Sequence, residues 1–140
     1  MKLPIRVRSV PGRVTTGAFI LHSGLEKWSA DDARATSVHG MAAGAFPVLA
    51  DLPPSRFLRL LAVGEIGIGA TLLIPVIPDV LAGIALTAFS GALVTMYGRT
   101  PALRRPGSIW PAPAGIGVSK DVWMLGIGLG LVLDGLDERT

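Results

Sequence analysis

Glu65 is the residue of this 140-residue chain whose setting most needs a chemical reason. It stands in the apolar run Leu60–Ile74, which holds no other charge. A charge at the centre of a bilayer costs about 2.5–3.5 kcal/mol on insertion scales, so it calls for a partner or a task. On a helix Glu65 shares its face with Leu61, Ile68, Gly69 and Leu72, and no cation of that run can reach it. The partner must come from another helix.

Four other residues are candidates for the same neighbourhood. His22 and Glu26 are four apart and share a helix face, and Lys27 follows directly. Asp121 opens the last apolar run behind Ser119 and Lys120. The expected site is a polar intramembrane cluster of His22, Glu26, Lys27, Glu65 and Asp121. It could hold a proton or the headgroup of a ligand such as a quinone. The competing reading is an ion-pair network that only fixes helix packing, with Asp121 favoured in a first turn by the helix dipole. Both readings stay open at this point.

Four apolar runs must position these groups. Half of the residues are hydrophobic and only 16% are charged, against about 25% in an average soluble domain; mean hydropathy is +0.56. The runs predict an all-α protein, a bundle of four transmembrane helices over about 13–28, 56–74, 79–97 and 118–133. A spanning helix takes about 20 residues, so the first and last are short. The length suits one membrane domain covering 1–140. Four spans bring the end of the first helix, the first half of the second and the start of the fourth to one side. A rise of about 1.5 Å per residue then puts His22 and Glu65 at similar depths, on the order of 10 Å inside.

Between the first two runs, residues 31–50 predict an amphipathic interfacial helix, lying at the membrane surface or packed on the bundle. Val38, Met41, Ala42, Ala45, Phe46 and Leu49 recur at helical spacing, Ser29 or Asp31 is the expected cap, and Pro53-Pro54 stops it. His39 is expected to be solvated and Asp79 to cap the third span. The pairs Gly126/Gly130 and Ala88/Ala92, with Gly64, Gly67 and Gly69 around Glu65, are expected to let helices approach closely.

Several functions are excluded. The chain has no cysteine, which removes disulfides, thiolate metal sites and cysteine nucleophiles. Two histidines on separate segments make poor metal or haem ligands. No phosphate loop, dinucleotide fingerprint or hydrolase signature is present. The net charge of +3 lies in tails and loops rather than in a basic stripe with interleaved aromatics, so nucleic acid is not the expected partner. The first run ends in Glu26-Lys27-Trp28 without a small-residue cleavage pattern and reads as a retained helix. Cation counts favour tails outside, whereas the four cations before the first helix favour a cytoplasmic N-terminus. Both termini are expected in the cytoplasm.

Three stretches resemble the DoxX-like family of small four-helix membrane proteins. They are Gly17–Lys27, with its glycine-rich run ending in a Gly-x-x-Lys-type motif, Glu65 with Gly67 and Gly69, and Lys120–Gly126 with its charged pair opening the last span. The resemblance covers roughly residues 13–134. It implies a four-helix membrane bundle, and for some relatives an association with thiosulfate–quinone oxidoreduction or with redox and detoxification partners. The long 29–54 and 100–117 segments depart from the compact family core, so the substrate does not carry over. The expected function is a membrane subunit or scaffold that associates with a partner protein or a second copy, without autonomous catalysis. The alternatives are a component of a quinone-linked oxidoreductase and a small transporter or accessory protein using Glu65.

Overall fold

The computed structural model describes residues 2–137, and the described chain is all-helical. Its helices are α1 (Val10–Trp28), α2 (Asp32–Ala45), α3 (Pro54–Leu73), α4 (Asp79–Arg99), the single turn α5 (Ile116–Ser119) and α6 (Asp121–Asp137). Short 3-10 turns fill several connections. The four long helices fall within a few residues of the expected spans.

Proline and side-chain caps set the boundaries. Asp31 accepts the Arg34 N–H at 2.9 Å and starts α2. Phe46, before Pro47, is driven out of helical conformation and ends it. The helical part of 31–50 is therefore shorter than expected, and the expected amphipathic face is corrected too: α2 buries only Ala35, Ala42 and Ala45, while Phe46 and Leu49 fall beyond it, with Pro47–Asp51 continuing as a 3-10 turn. Pro54 at the first position of α3 needs no N–H partner. Ile74, before Pro75, ends that helix in extended conformation.

Helices α1 and α3 pack antiparallel, and so do α4 and α6. Glycine makes both pairs close. A Cβ on Gly69 would sit 2.7 Å from the Leu21 amide nitrogen, and one on Gly17 would sit 2.9 Å from the Leu72 Cβ. In the second pair, a Cβ on Gly83 would lie 2.8 Å from the Gly128 carbonyl oxygen, and one on Gly128 would lie 2.9 Å from the Thr87 amide nitrogen. The expected small-residue face of α6 is thereby corrected. Gly126 and Gly130 point into open space, and Gly128, Leu131 and Gly135 form the buried face. Gly64 and Gly67 likewise meet nothing, and Ala88 and Ala92 are exposed.

The pairs join around Ile20, Leu72, Ala82, Leu86 and Leu131. At the end that carries the 74–78 turn, Arg13 is only 2% exposed and all five of its N–H donors are used. Nε donates to Leu72 O, Nη1 to Ile77 O and Asp79 Oδ1, and Nη2 to Thr71 O and Ile74 O, at 2.8–3.0 Å. These carbonyls include the orphan acceptors at the end of α3. Asp79 also accepts from Ser9 Oγ at 2.8 Å and from the Arg6 N–H at 3.2 Å. Asp79 is thus not the cap of α4, which begins behind Pro78 without a side-chain cap; its carboxylate answers Arg13 instead. Arg8 forks onto Asp134 through two bonds, tying the entry of α1 to the end of α6.

Helix α4 and the stretch Pro113–Asp137 are long and apolar enough to cross a membrane, with mean hydropathies of 1.8 and 1.6. Only 28% and 11% of those windows are buried, whereas the core helix of a soluble protein would be mostly covered. Helices α1 and α3 do not pass the same test: α3 carries three charged residues, Arg56, Arg59 and Glu65, and α1 carries Arg13, Glu26 and Lys27 and is also less apolar, with His22, Thr15, Thr16 and Ser23 in its length.

Candidate functional site

Away from the Arg13 end, the two helix pairs part and leave a cleft of about 930 Å³ between them, with α2 and the 46–49 segment along one side. Its wall is mainly apolar. All four phenylalanines of the chain, Phe19, Phe46, Phe57 and Phe89, line it, together with Met41, Met96 and Met124. The flexible methionine thioether packs against irregular apolar shapes and favours contact with aromatic rings, which suits an adaptable lining. Phe19 is 79% and Trp123 66% exposed, so α1 and α6 present aromatic rings at an open side of the cleft.

The polar groups gather at the α2 end. Lys27 Nζ lies 3.1 Å from Glu65 Oε1 and Oε2 and also donates to Ser23 Oγ. The Glu65 and Lys27 side chains are 5% and 12% exposed, so this ion pair is nearly dry. Asp121 and Lys120 line the cleft from the start of α6, and Asp121 lies within electrostatic reach of both Glu65 and Lys27. Lys120 also rests over the Trp123 ring, 5.8 Å from its centroid. Two cations and two carboxylates leave this floor formally neutral but rich in donors and acceptors.

The structure therefore brings three of the five expected residues together, Lys27, Glu65 and Asp121. It does not bring His22 or Glu26 to them. Those two side chains pair with one another at 3.3 Å on an outer face of α1, 71% and 51% exposed. The helical rotation that turns Lys27 inward turns the His22–Glu26 face outward. Ser119 does not cap α6; its hydroxyl donates to Ile116 O inside α5.

Two further expectations are corrected: Arg13 is not one of the free cations flanking the first helix, and His39 is not left in solvent. Arg13 is locked as described above. His39 is half-buried, with Nε2 2.8 Å from Leu49 O and its ring edge-on to Phe57 at 5.5 Å. It fastens the 3-10 turn to α2 beside the cleft. Arg99 does similar work, donating to Ala45 O at 3.2 Å and lying over the Phe46 ring. The recurrence of phenylalanine and methionine in all the long segments is the one sequence signal for an apolar cleft. Among the described residues, no group of three histidine or acidic side chains could hold a metal ion.

Compared with known proteins, the chain matches no family model, no curated protein and no solved structure.

Proposed function

We propose that the chain is a four-span membrane protein, DoxX-like in kind, that binds a hydrophobic molecule with a neutral polar head in the cleft between its helix pairs. The cleft carries this reading. About 930 Å³ lies at the upper end of the range for small-molecule sites, which are mostly apolar with a few convergent polar groups. An apolar body would lie along the phenylalanines and methionines. The head would meet Lys27, Glu65 and Asp121. A balanced floor favours a carbonyl- or hydroxyl-bearing head over an ion, because a net charge would find no surplus of the opposite sign. A quinone has this chemistry, and so has a neutral lipid.

The exposed apolar faces and the placement of the charges support a reading with four spans. Helices α1, α3 and α4 have 19, 20 and 21 residues, or about 28–32 Å, close to the hydrocarbon thickness of a bilayer. Arg13 and Glu65, the deepest charges of α1 and α3, are both neutralised by partners. Arg56, Arg59 and Glu26 lie near helix ends, where long side chains reach the headgroups, and Lys27 turns inward to Glu65. Both termini then share one face, and the cations flanking the first helix favour the cytoplasm for it. In this reading the chain works as a membrane subunit that holds or passes its ligand to a partner protein, without autonomous catalysis.

The direct experiment is native mass spectrometry of the protein released from its own membranes. A bound neutral amphiphile, lost when Ala92→Phe fills the cleft, supports the reading. A protein that emerges without a ligand and does not take up added ubiquinone or diacylglycerol overturns it.

A further inference from the structure

A second, smaller groove of about 370 Å³ lies on the outside of the α1–α3 pair, lined by Trp28, Ser55, Arg56, Arg59, Leu60 and Val63. We infer that this groove is a binding site for an anionic phospholipid. Arg56 has no ion-pair partner among the described residues, and Arg59 has only the Trp28 ring, with its guanidinium carbon 4.9 Å from the centroid. Two unneutralised guanidinium groups three positions apart share one helix face. Guanidinium forks match the paired oxygens of a phosphate. The Ser55 hydroxyl, without a partner among the described residues, adds a donor on the same rim.

The rest of the groove argues for a lipid rather than a free phosphate. Leu60 and Val63 continue from the arginines along α3 and are 58% and 55% exposed. They offer an apolar track directly below the charged rim, where an acyl chain hangs from its headgroup. Trp28 stands at the junction, 48% exposed, as an amphipathic ring does at the level of the headgroups. The inference rests on the membrane reading, since the track faces lipid only if α1 and α3 span.

The test uses the full chain in vesicles of equal parts phosphatidylcholine and phosphatidylglycerol with matched acyl chains. Lipid retained on the released protein is counted by native mass spectrometry. The wild type should retain phosphatidylglycerol preferentially. Guanidinium–phosphate bonds act only where the headgroup sits, so Arg56→Gln with Arg59→Gln should cut the preference by about tenfold or more. Arg34→Gln with Arg105→Gln removes the same charge from the same end and should leave it nearly intact. Replacing both Arg56 and Arg59 by lysine should restore part of it. Equal loss in the two glutamine double variants, or displacement of the lipid by millimolar inorganic phosphate, overturns the inference. Alkaline carbonate washing tests the membrane reading separately. A protein that washes off overturns both, whereas a retained protein without lipid preference overturns the phospholipid site alone.

Discussion

Arg13 and Asp79 stand 66 positions apart and meet through an Nη1–Oδ1 contact of 2.8 Å, each side chain 2% exposed. One guanidinium thereby joins the start of α1, the end of α3 and the start of α4. A buried pair that loses one partner leaves an uncompensated charge behind, and such losses cost about 3–5 kcal/mol. The geometry is also specific to arginine, because a lysine offers three donors from one point and cannot reach four carbonyls and a carboxylate. Arg13→Lys and Asp79→Asn should each lower the thermal midpoint in detergent by many degrees. A midpoint within one or two degrees of wild type for both would show that the clamp is dispensable.

Lys27 and Glu65 offer a cleaner separation of stability from binding. Lys27→Met alone strands the Glu65 carboxylate and should destabilise by about 3–5 kcal/mol. Lys27→Met with Glu65→Leu removes both charges and should restore most of that stability. The double variant should nevertheless lose the ligand, because the head no longer finds its donors and acceptors. A double variant that folds and still carries the ligand at wild-type stoichiometry would reduce the pair to a packing device.

Glycine substitutions should divide by helix face. Gly69→Ala and Gly128→Ala place a Cβ within 3 Å of backbone atoms of the facing helix and should cost about 1–3 kcal/mol, the usual range for overpacking. Gly67→Ala and Gly126→Ala meet open space and should be neutral or stabilise by up to about 1 kcal/mol, as alanine is the better helix former. Thermal unfolding of the four variants side by side checks the assignment of faces.

The absence of cysteine allows single introduced cysteines to report topology. Val7, Val48, Val76 and Ile109 are all well exposed. Four spans require Val7→Cys and Val76→Cys to label from one side of sealed vesicles and Val48→Cys and Ile109→Cys from the other. If only α4 and α6 cross, Val48→Cys labels with Val7→Cys, so position 48 decides between the two arrangements.

Ala92→Phe should fill part of the cleft from α4 without burying any polar group. Ala92 is exposed on the cleft wall, so the ring has room and stability should stay within about 0.5 kcal/mol. Ligand retention should fall by an order of magnitude or more. Unchanged retention would move the ligand out of this cleft.

The helices were legible because their signals are local. The apolar runs, the Asp31 cap and Pro53-Pro54 act within a few residues of themselves. The need of Glu65 for a cation from another helix was legible too, since a lone acid in an apolar run has no inexpensive alternative. What no local rule carries is rotation and closeness. With 18 glycines, small-residue pairs recur on every side of α3 and α6, and only the facing helix selects Gly69 over Gly67 or Gly128 over Gly126. The i,i+4 link of His22 to Glu26 was visible, but which way that face turns depends on the close approach of α1 to α3. Arg13 was hidden for a related reason. Its acceptors are mostly backbone carbonyls of residues 71–77, which every sequence possesses and which become a site only when the chain turns back upon them. The cleft belongs wholly to the tertiary structure, because it is the space left where two glycine-tight pairs meet at one end and part at the other.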